Sequence, residues 1–210
     1  MMWIAFYNEQ GVGDVLMLTR GKADENHLST ESNNGVTIVR DSTQDNQVMS
    51  INLFNISETF KPNGNGNVDL TEEQVSQVND KIKEAGFDIE VEVDSKPKFV
   101  VGYVESCKKH EDSDHLSVTQ TNVGGEVLQI VCGADNIAED MNVLVARPGA
   151  TMPNGMIIWP GELRGVESFG MICSTRELGL TDIEDLPGIW ELKDSFEPGM
   201  SLEEVVASYK

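Results

Sequence analysis

The stretch FVVGYVESCKKHEDSDHLSVTQTNVGGEVLQIVCGADN, residues Phe99 to Asn136, decides the fold of the second half of the chain. Apolar residues alternate with polar ones at Phe99, Val101 and Tyr103, then at Leu116 and Val118, and again at Leu128, Ile130 and Cys132. This is the period of half-buried strands, and no helical pattern intervenes. Gly124-Gly125 separates two of the runs and predicts a tight hairpin, because glycine reaches positive φ without a Cβ clash. Short strands in direct succession predict a small antiparallel barrel. A second stretch, GMIIWPGELRGVESFGMICSTRELGL from Gly155 to Leu180, shares with the first nearly all the residues that carry chemistry.

Outward from these stretches, the first 95 residues read as a separate α+β domain. Strands are predicted at Met2 to Tyr7 and Asp14 to Thr19, paired as a hairpin across Asn8 to Gly13, and at Val36 to Val39 and Val48 to Ile56. That makes a sheet of about four strands. Asn63 to Asn67 reads as a flexible loop, after which Thr71-Glu72-Glu73-Gln74 is a capping box that starts a helix. Val75, Val78, Ile82 and Ala85 form its apolar face, and Gly86 stops it. Asp88 to Val93 alternates once more as a strand, and Asp94 to Pro97 is a polar connector. The boundary is predicted near Ser95, giving domains 1–95 and 96–210. At the far end, Pro187 to Leu192 reads as a last strand with Trp190 in the core. Ser201 caps a short C-terminal helix with Leu202, Val205, Val206 and Tyr209 on one face.

The 210 residues exceed the usual size of one domain and suit two modest ones. The net charge is -21, divided as -11 over residues 1–95 and -10 over the rest, so neither half is a basic module. Cys107, Cys132 and Cys173 are odd in number and widely spaced, which fits reduced, buried thiols in a cytoplasmic protein. The first ten residues lack a basic n-region and are too short an apolar run for a signal peptide or membrane span, so no membrane association is expected. Residues 1–95 contain no phosphate-binding glycine loop, metal-ligand spacing or nucleophile with a base beside it. His27 reads as a solvated loop residue.

Four motifs in order then carry a resemblance: HEDSDHL at His110 to Leu116, QIVCGADN at Gln129 to Asn136, RPGATMPNG at Arg147 to Gly155, and LRGVESFGMICSTRELGL at Leu163 to Leu180. They resemble the tRNA-binding module of the OB-fold class, found near the N-terminus of the bacterial phenylalanyl-tRNA synthetase beta subunit and in free-standing tRNA-binding proteins. With its acidic N-terminal extension the whole chain resembles the free-standing YtpR-type proteins. The resemblance implies an all-β OB-fold, a five-stranded barrel with a short C-terminal helix, and a non-catalytic role as a tRNA chaperone or delivery factor. It implies tRNA or another structured RNA as partner, a homodimer, and no cofactor.

OB-type barrels use cations for phosphates, flat groups for bases, and hydroxyl or backbone groups for sugar edges. The resemblance places Lys108, Lys109, His110, Arg147 and Arg164 on one side as cations. His115 stands where the family usually has lysine. An imidazole holds phosphate weakly at neutral pH and more firmly below about pH 6.5, where histidine charges. Trp159 replaces the lysine-rich segment usual before LRG, and reads either as a stacking platform or as rim packing. Ser168, Met171 and Ser174 flank sharp turns at Gly165 and Gly170 and can offer hydroxyls and a thioether to bases, although Met171 reads equally as core. Gly133 is expected at a third such turn. His110, Asp112, Asp114 and His115 are metal-ligating types, yet their spacing matches no compact structural zinc motif, and Asp112 and Asp114 read as Asx-turn residues. Cys173 has no base placed to activate it. A protein-interaction adaptor that kept the OB scaffold and lost strong RNA affinity is the alternative reading, consistent with -10 on this half.

Overall fold

The strand alternation in the first third of the chain closes a six-stranded antiparallel sheet. The computed structural model describes residues 3–93 and 96–209, so Met2 and the connector residues Asp94 and Ser95 lie outside the described residues. Contacts divide the chain into two compact units, Met1–Lys96 and Pro97–Lys210.

In the first unit, β1 (Ile4–Tyr7), a one-turn α1 (Glu9–Val12) and β2 (Val15–Thr19) form the expected hairpin; β3 (Leu28–Asn33), β4 (Val36–Asp41), β5 (Gln47–Phe54) and β6 (Gly66–Val68) follow. The order is β3-β4-β5-β2-β1-β6, so the sheet has two strands more than the sequence pattern predicted. Both extra strands are edges. All six residues of β3 are exposed, so it has no apolar face for alternation to reveal, and β6 pairs part of the glycine-asparagine loop with β1.

The capping box forms, with the Thr71 hydroxyl accepting from Gln74 N, and starts α2 (Glu72–Glu84). Its Val78 and Ile82 are fully buried in one cluster with Leu16, Leu18, Ile38, Ile51 and Leu53 of the sheet. This unit is thus mostly strand, with a single long helix. The predicted strand at Asp88 to Val93 is not a ladder strand. The Asn79 amide holds it instead, donating to Val91 O at 3.0 Å and accepting from Val91 N at 2.8 Å, with one bridge from Val93 to Trp3.

The second unit is built on β7 (Phe99–Lys109), β8 (Ser117–Asn122), β9 (Val127–Cys132), β10 (Asn142–Ala146), the hairpin β11 (Gly161–Leu163) and β12 (Val166–Ser168), β13 (Met171–Cys173), β14 (Glu191–Leu192) and α3 (Leu202–Ala207). Its sheet runs β13-β10-β7-β8-β9, with β14 also on β10, and the Gly124-Gly125 hairpin joins β8 to β9 with both glycines at positive φ.

Every residue of β10 is buried, because the strand is packed on both faces. Val143 and Val145 lie with Val100, Val104, Ile130 and Ile172 inside the curved sheet. Leu144 and Ala146 lie in an outer layer with Trp190, Leu192, Phe196 and Val205. Trp190 is a core residue, as expected, and α3 packs on this outer layer through Val205.

The face of β8 differs from the sequence reading. Ser117, Thr119 and Thr121 point inward, whereas Val118 is half-exposed. The buried hydroxyls are satisfied: Thr119 Oγ1 donates to Ile130 O at 3.0 Å, which leaves Thr121 to donate to Thr119 at 3.0 Å.

Between β12 and β13 the chain crosses from one side of the sheet to the other. Phe169 N donates to Gln129 O of β9 at 2.8 Å, while Met171 to Cys173 pair with β10. Gly170 makes the crossing at φ 149°, and a Cβ there would lie 2.9 Å from Ala146 O. Gly133, by contrast, has no positive φ.

Asp41 organises the loop after β4. Its buried carboxylate accepts from Thr43 Oγ1 at 2.6 Å, from Asp24 N and Thr43 N at 2.8 Å, and from Gln44 Nε2 at 2.9 Å. These bonds, led by the Thr43 hydroxyl, hold its pKa well below the usual carboxylate range. The contribution is therefore complete above the unfolded carboxylate value of about 4 and lost as pH falls through the lower folded value. Asp41→Asn is expected to lower the melting temperature at pH 7, and to make its decline between about pH 4 and pH 2 shallower than in the wild type.

Candidate nucleic-acid interface

Three segments meet at one corner of the second unit: the end of β7, the loop from His110 to Leu116, and the β11–β12 hairpin. The hairpin turn is Leu163-Arg164-Gly165-Val166, with Arg164 at φ 49° and Gly165 at φ 82°, the two positive values that a primed two-residue turn requires. Arg164 therefore occupies a backbone region that side chains other than glycine, asparagine and aspartate seldom adopt.

Two hydrogen bonds fasten the turn to the loop. His110 Nε2 donates to Leu163 O at 3.2 Å, and Arg164 Nη1 donates to Asp112 O at 2.9 Å. The His110 ring is only 5% exposed, and its Nδ1 accepts from Asp112 N at 3.0 Å. A backbone N–H can only donate and a carbonyl can only accept, so the pair assigns the donor role to Nε2 and the acceptor role to Nδ1. Protonating Nδ1 would set an N–H against the Asp112 N–H.

The loop is shaped by His110 and by Ser113, whose hydroxyl accepts from His115 N, and not by Asx turns at Asp112 and Asp114. Among the described residues no group of three or more metal-ligating side chains converges.

The ten residues singled out from the sequence separate into two sets. Lys108, Lys109, His115 and Arg164 are exposed, while Trp159 and Met171 are half-exposed, with Met171 packed against the outer core layer. His110 is committed to the turn as described.

Arg147 is turned inward, 9% exposed, paired with Glu126 and donating to Pro97 O. Ser168 is buried and accepts from Val131 N at 3.1 Å, and Ser174 is buried and donates to Glu177 Oε2 at 2.8 Å. These three side chains make intramolecular contacts where the sequence suggested ligand contacts. Motif position does not disclose inward orientation at a sheet rim, and the Glu126 partner of Arg147 is 21 residues away in sequence.

The groups that seal the corner are main-chain atoms of Leu163 and Asp112, for which side-chain patterns give no signal. Gln120 and Gln129 also lie on the solvent-facing side of β8 and β9, bonded to each other. Strict alternation from the inward Thr119 and Thr121 would have located Gln120.

Electrostatically the corner is mixed. Lys108, Lys109 and Arg164 stand among Glu111, Asp112, Asp114, Glu162 and Glu167, all exposed. Cys173 is buried and its thiol is pushed up to about 12 by burial, which keeps it protonated and unreactive at neutral pH. His110→Ala is expected to leave the Leu163 carbonyl and the Asp112 N–H without their partner. The second unit should lose about 1–3 kcal/mol of stability, measured by denaturant unfolding, with an unchanged far-ultraviolet circular dichroism spectrum.

Comparison with known proteins finds a family match in each unit. Residues 99–201 match the family described as "Putative tRNA binding domain", and residues 23–94 match one described as "Domain of unknown function (DUF4479)". The phenylalanine–tRNA ligase beta subunit of Oceanobacillus iheyensis is 48% identical over 133 residues, and that of Campylobacter jejuni strain RM1221 is 48% identical over 122 residues. These matches take in 59% and 55% of the chain but only 16% of each ligase subunit. The "Putative tRNA-binding protein YtpR" of Bacillus subtilis is 43% identical over 195 residues, 93% of this chain and 96% of that protein. Identity at that level along nearly the whole of both chains makes this protein a member of the YtpR family.

Proposed function

We propose that the protein is a non-catalytic RNA-binding protein whose second unit, an OB-type barrel of five strands, takes tRNA or another structured RNA. The observation that carries this reading is the coincidence of two things. The tRNA-binding family match spans residues 99–201, and within that span the fold brings Lys108, Lys109 and Arg164 to one exposed corner with Trp159 half-exposed nearby in the chain. Phosphates would meet the three cations, and a base would stack on the indole. The role is delivery or protection of RNA, in the cytoplasm, where the three free cysteines stay reduced. No helix among the described residues is long and apolar enough to cross a membrane. The chain acts as two domains, 1–95 and 96–210, and paired second domains form a homodimer. Light scattering at high micromolar concentration should give twice the chain mass, and a strictly monomeric mass would exclude the dimer.

The test is a titration with total tRNA, a folded control RNA and single-stranded RNA at low and physiological salt. With about three cations at the site, log affinity should fall against log salt with a slope of about -2 to -4, and the affinity at physiological salt should be no tighter than about micromolar. Arg164→Gly is a clean probe, because glycine relieves the positive φ while removing the charge. It should weaken tRNA binding and flatten the slope by about one unit, as should Lys109→Ala. Absence of tRNA binding at low salt would overturn the reading in favour of a protein-interaction adaptor.

A further inference from the structure

An acidic protein that binds an acidic polymer needs contacts that do not depend on charge. The outward faces of β7, β8 and β9 supply them. The register sets Ser106 beside Gln120 and Gln120 beside Gln129, one row across three strands. Asn122 stands one step along, donating to Glu105 Oε1 at 3.0 Å. Of the residues these strands turn outward, Lys108 and Glu105 carry charge, so the face is close to neutral, whereas residues 96–210 carry a net charge of -10. It borders the corner already described, because β9 is bonded to the β12 segment and Lys108 belongs to the same face.

The two glutamines are not free rotors. Gln129 Nε2 donates to Glu167 O at 2.8 Å, and Gln120 Nε2 donates to Gln129 Oε1 at 3.0 Å. A main-chain carbonyl only accepts, so Gln129 must turn its NH₂ to the hairpin and its oxygen to Gln120, which fixes the orientation of both amides. Beyond these bonds each amide keeps one N–H, and Gln120 keeps its whole carbonyl oxygen. A donor and an acceptor held side by side match the edge of a base or a ribose 2′-hydroxyl, and holding them in advance lowers the ordering cost of binding.

We infer that Gln120 and Gln129 form a preoriented, uncharged contact strip that extends the RNA site from the cationic corner onto the sheet face and bonds nucleotide bases or ribose hydroxyls. This rests on the tRNA-binding reading. It makes a distinction that cations cannot: loss of a neutral contact weakens binding equally at every salt concentration, since no counterion is released.

The experiment compares tRNA affinity of the full-length wild type, Gln120→Ala, and the Gln120→Ala/Gln129→Ala double variant across a salt series, with melting temperatures alongside. Gln120→Ala removes the outer amide and leaves the Gln129–Glu167 bond in place, so it should fold as the wild type does. It should bind about three- to tenfold more weakly, with the slope of log affinity against log salt unchanged. The double variant should be weaker still, again at constant slope. Wild-type binding with Gln120→Ala undiminished would overturn the inference while leaving the proposed function standing. A Gln120→Ala loss that comes with a flattened slope would also overturn it, by assigning the effect to charge. A wild type that binds no tRNA would overturn both.

Discussion

The second unit depends on the crossing between β12 and β13, where a few main-chain bonds tie the two ends of a curled sheet together. Phe169 N reaches Gln129 O on β9, Ser168 Oγ accepts from Val131 N, and three residues later the same segment is paired with β10. Without that crossing β9 would be an open edge, and the β11–β12 hairpin would have nothing to lean on. Gly170 makes the crossing feasible, since any Cβ there would press on the Ala146 carbonyl. The hairpin is thereby brought against the His110 loop, and Leu163 O and Asp112 O receive their bonds from His110 and Arg164. Residues that the family motifs share can thus serve the frame. Ser168 braces β9, and His110 locks a turn, each through a buried polar group whose partner would otherwise be left unsatisfied.

The electrostatics decide what kind of RNA contact this frame can make. Three exposed cations among five exposed carboxylates cannot hold a phosphate backbone tightly, and the inward Arg147 adds nothing to the surface. On the proposed function, recognition leans on shape, stacking and neutral hydrogen bonds, which suit a folded RNA better than an arbitrary charged strand. The same argument accounts for an acidic chain in a tRNA-binding family. A negative surface suppresses non-specific attraction to a polyanion, and the proposed site is a small corner with an adjoining face close to neutral.

How much of this was legible in the sequence depended on where the free energy lies. Strands with a buried apolar face, such as β5 with Ile51 and Leu53, and the helix opened by the Thr71 capping box were readable, because burial and capping impose periods and residue types. Edge strand β3, exposed along its whole length, left no such trace. Nor did the inward threonines of β8, whose burial rests on cross-strand hydroxyl bonds rather than on hydrophobicity. At the candidate site the exposure of Lys108, Lys109 and Arg164 agrees with their reading as cations in or beside the motifs. The inward turn of Arg147 was not legible, because its partner Glu126 lies 21 residues away in sequence, whereas Ser174 with Glu177 three residues on has the spacing of a capping box that the reading passed over. The Leu163 and Asp112 carbonyls lay beyond any reading of side chains.

The central claim is that RNA is received at the corner of β7, the His110 loop and the Arg164 turn, and on the face beside it. The most direct measurement is a two-dimensional ¹⁵N–¹H amide spectrum of the full chain titrated with tRNA at low salt. The account predicts shifts concentrated in residues 106–122, 127–131 and 159–168, with the six-stranded sheet of the first unit unmoved. Shifts confined to residues 3–93, or an unchanged spectrum at excess tRNA, would contradict it.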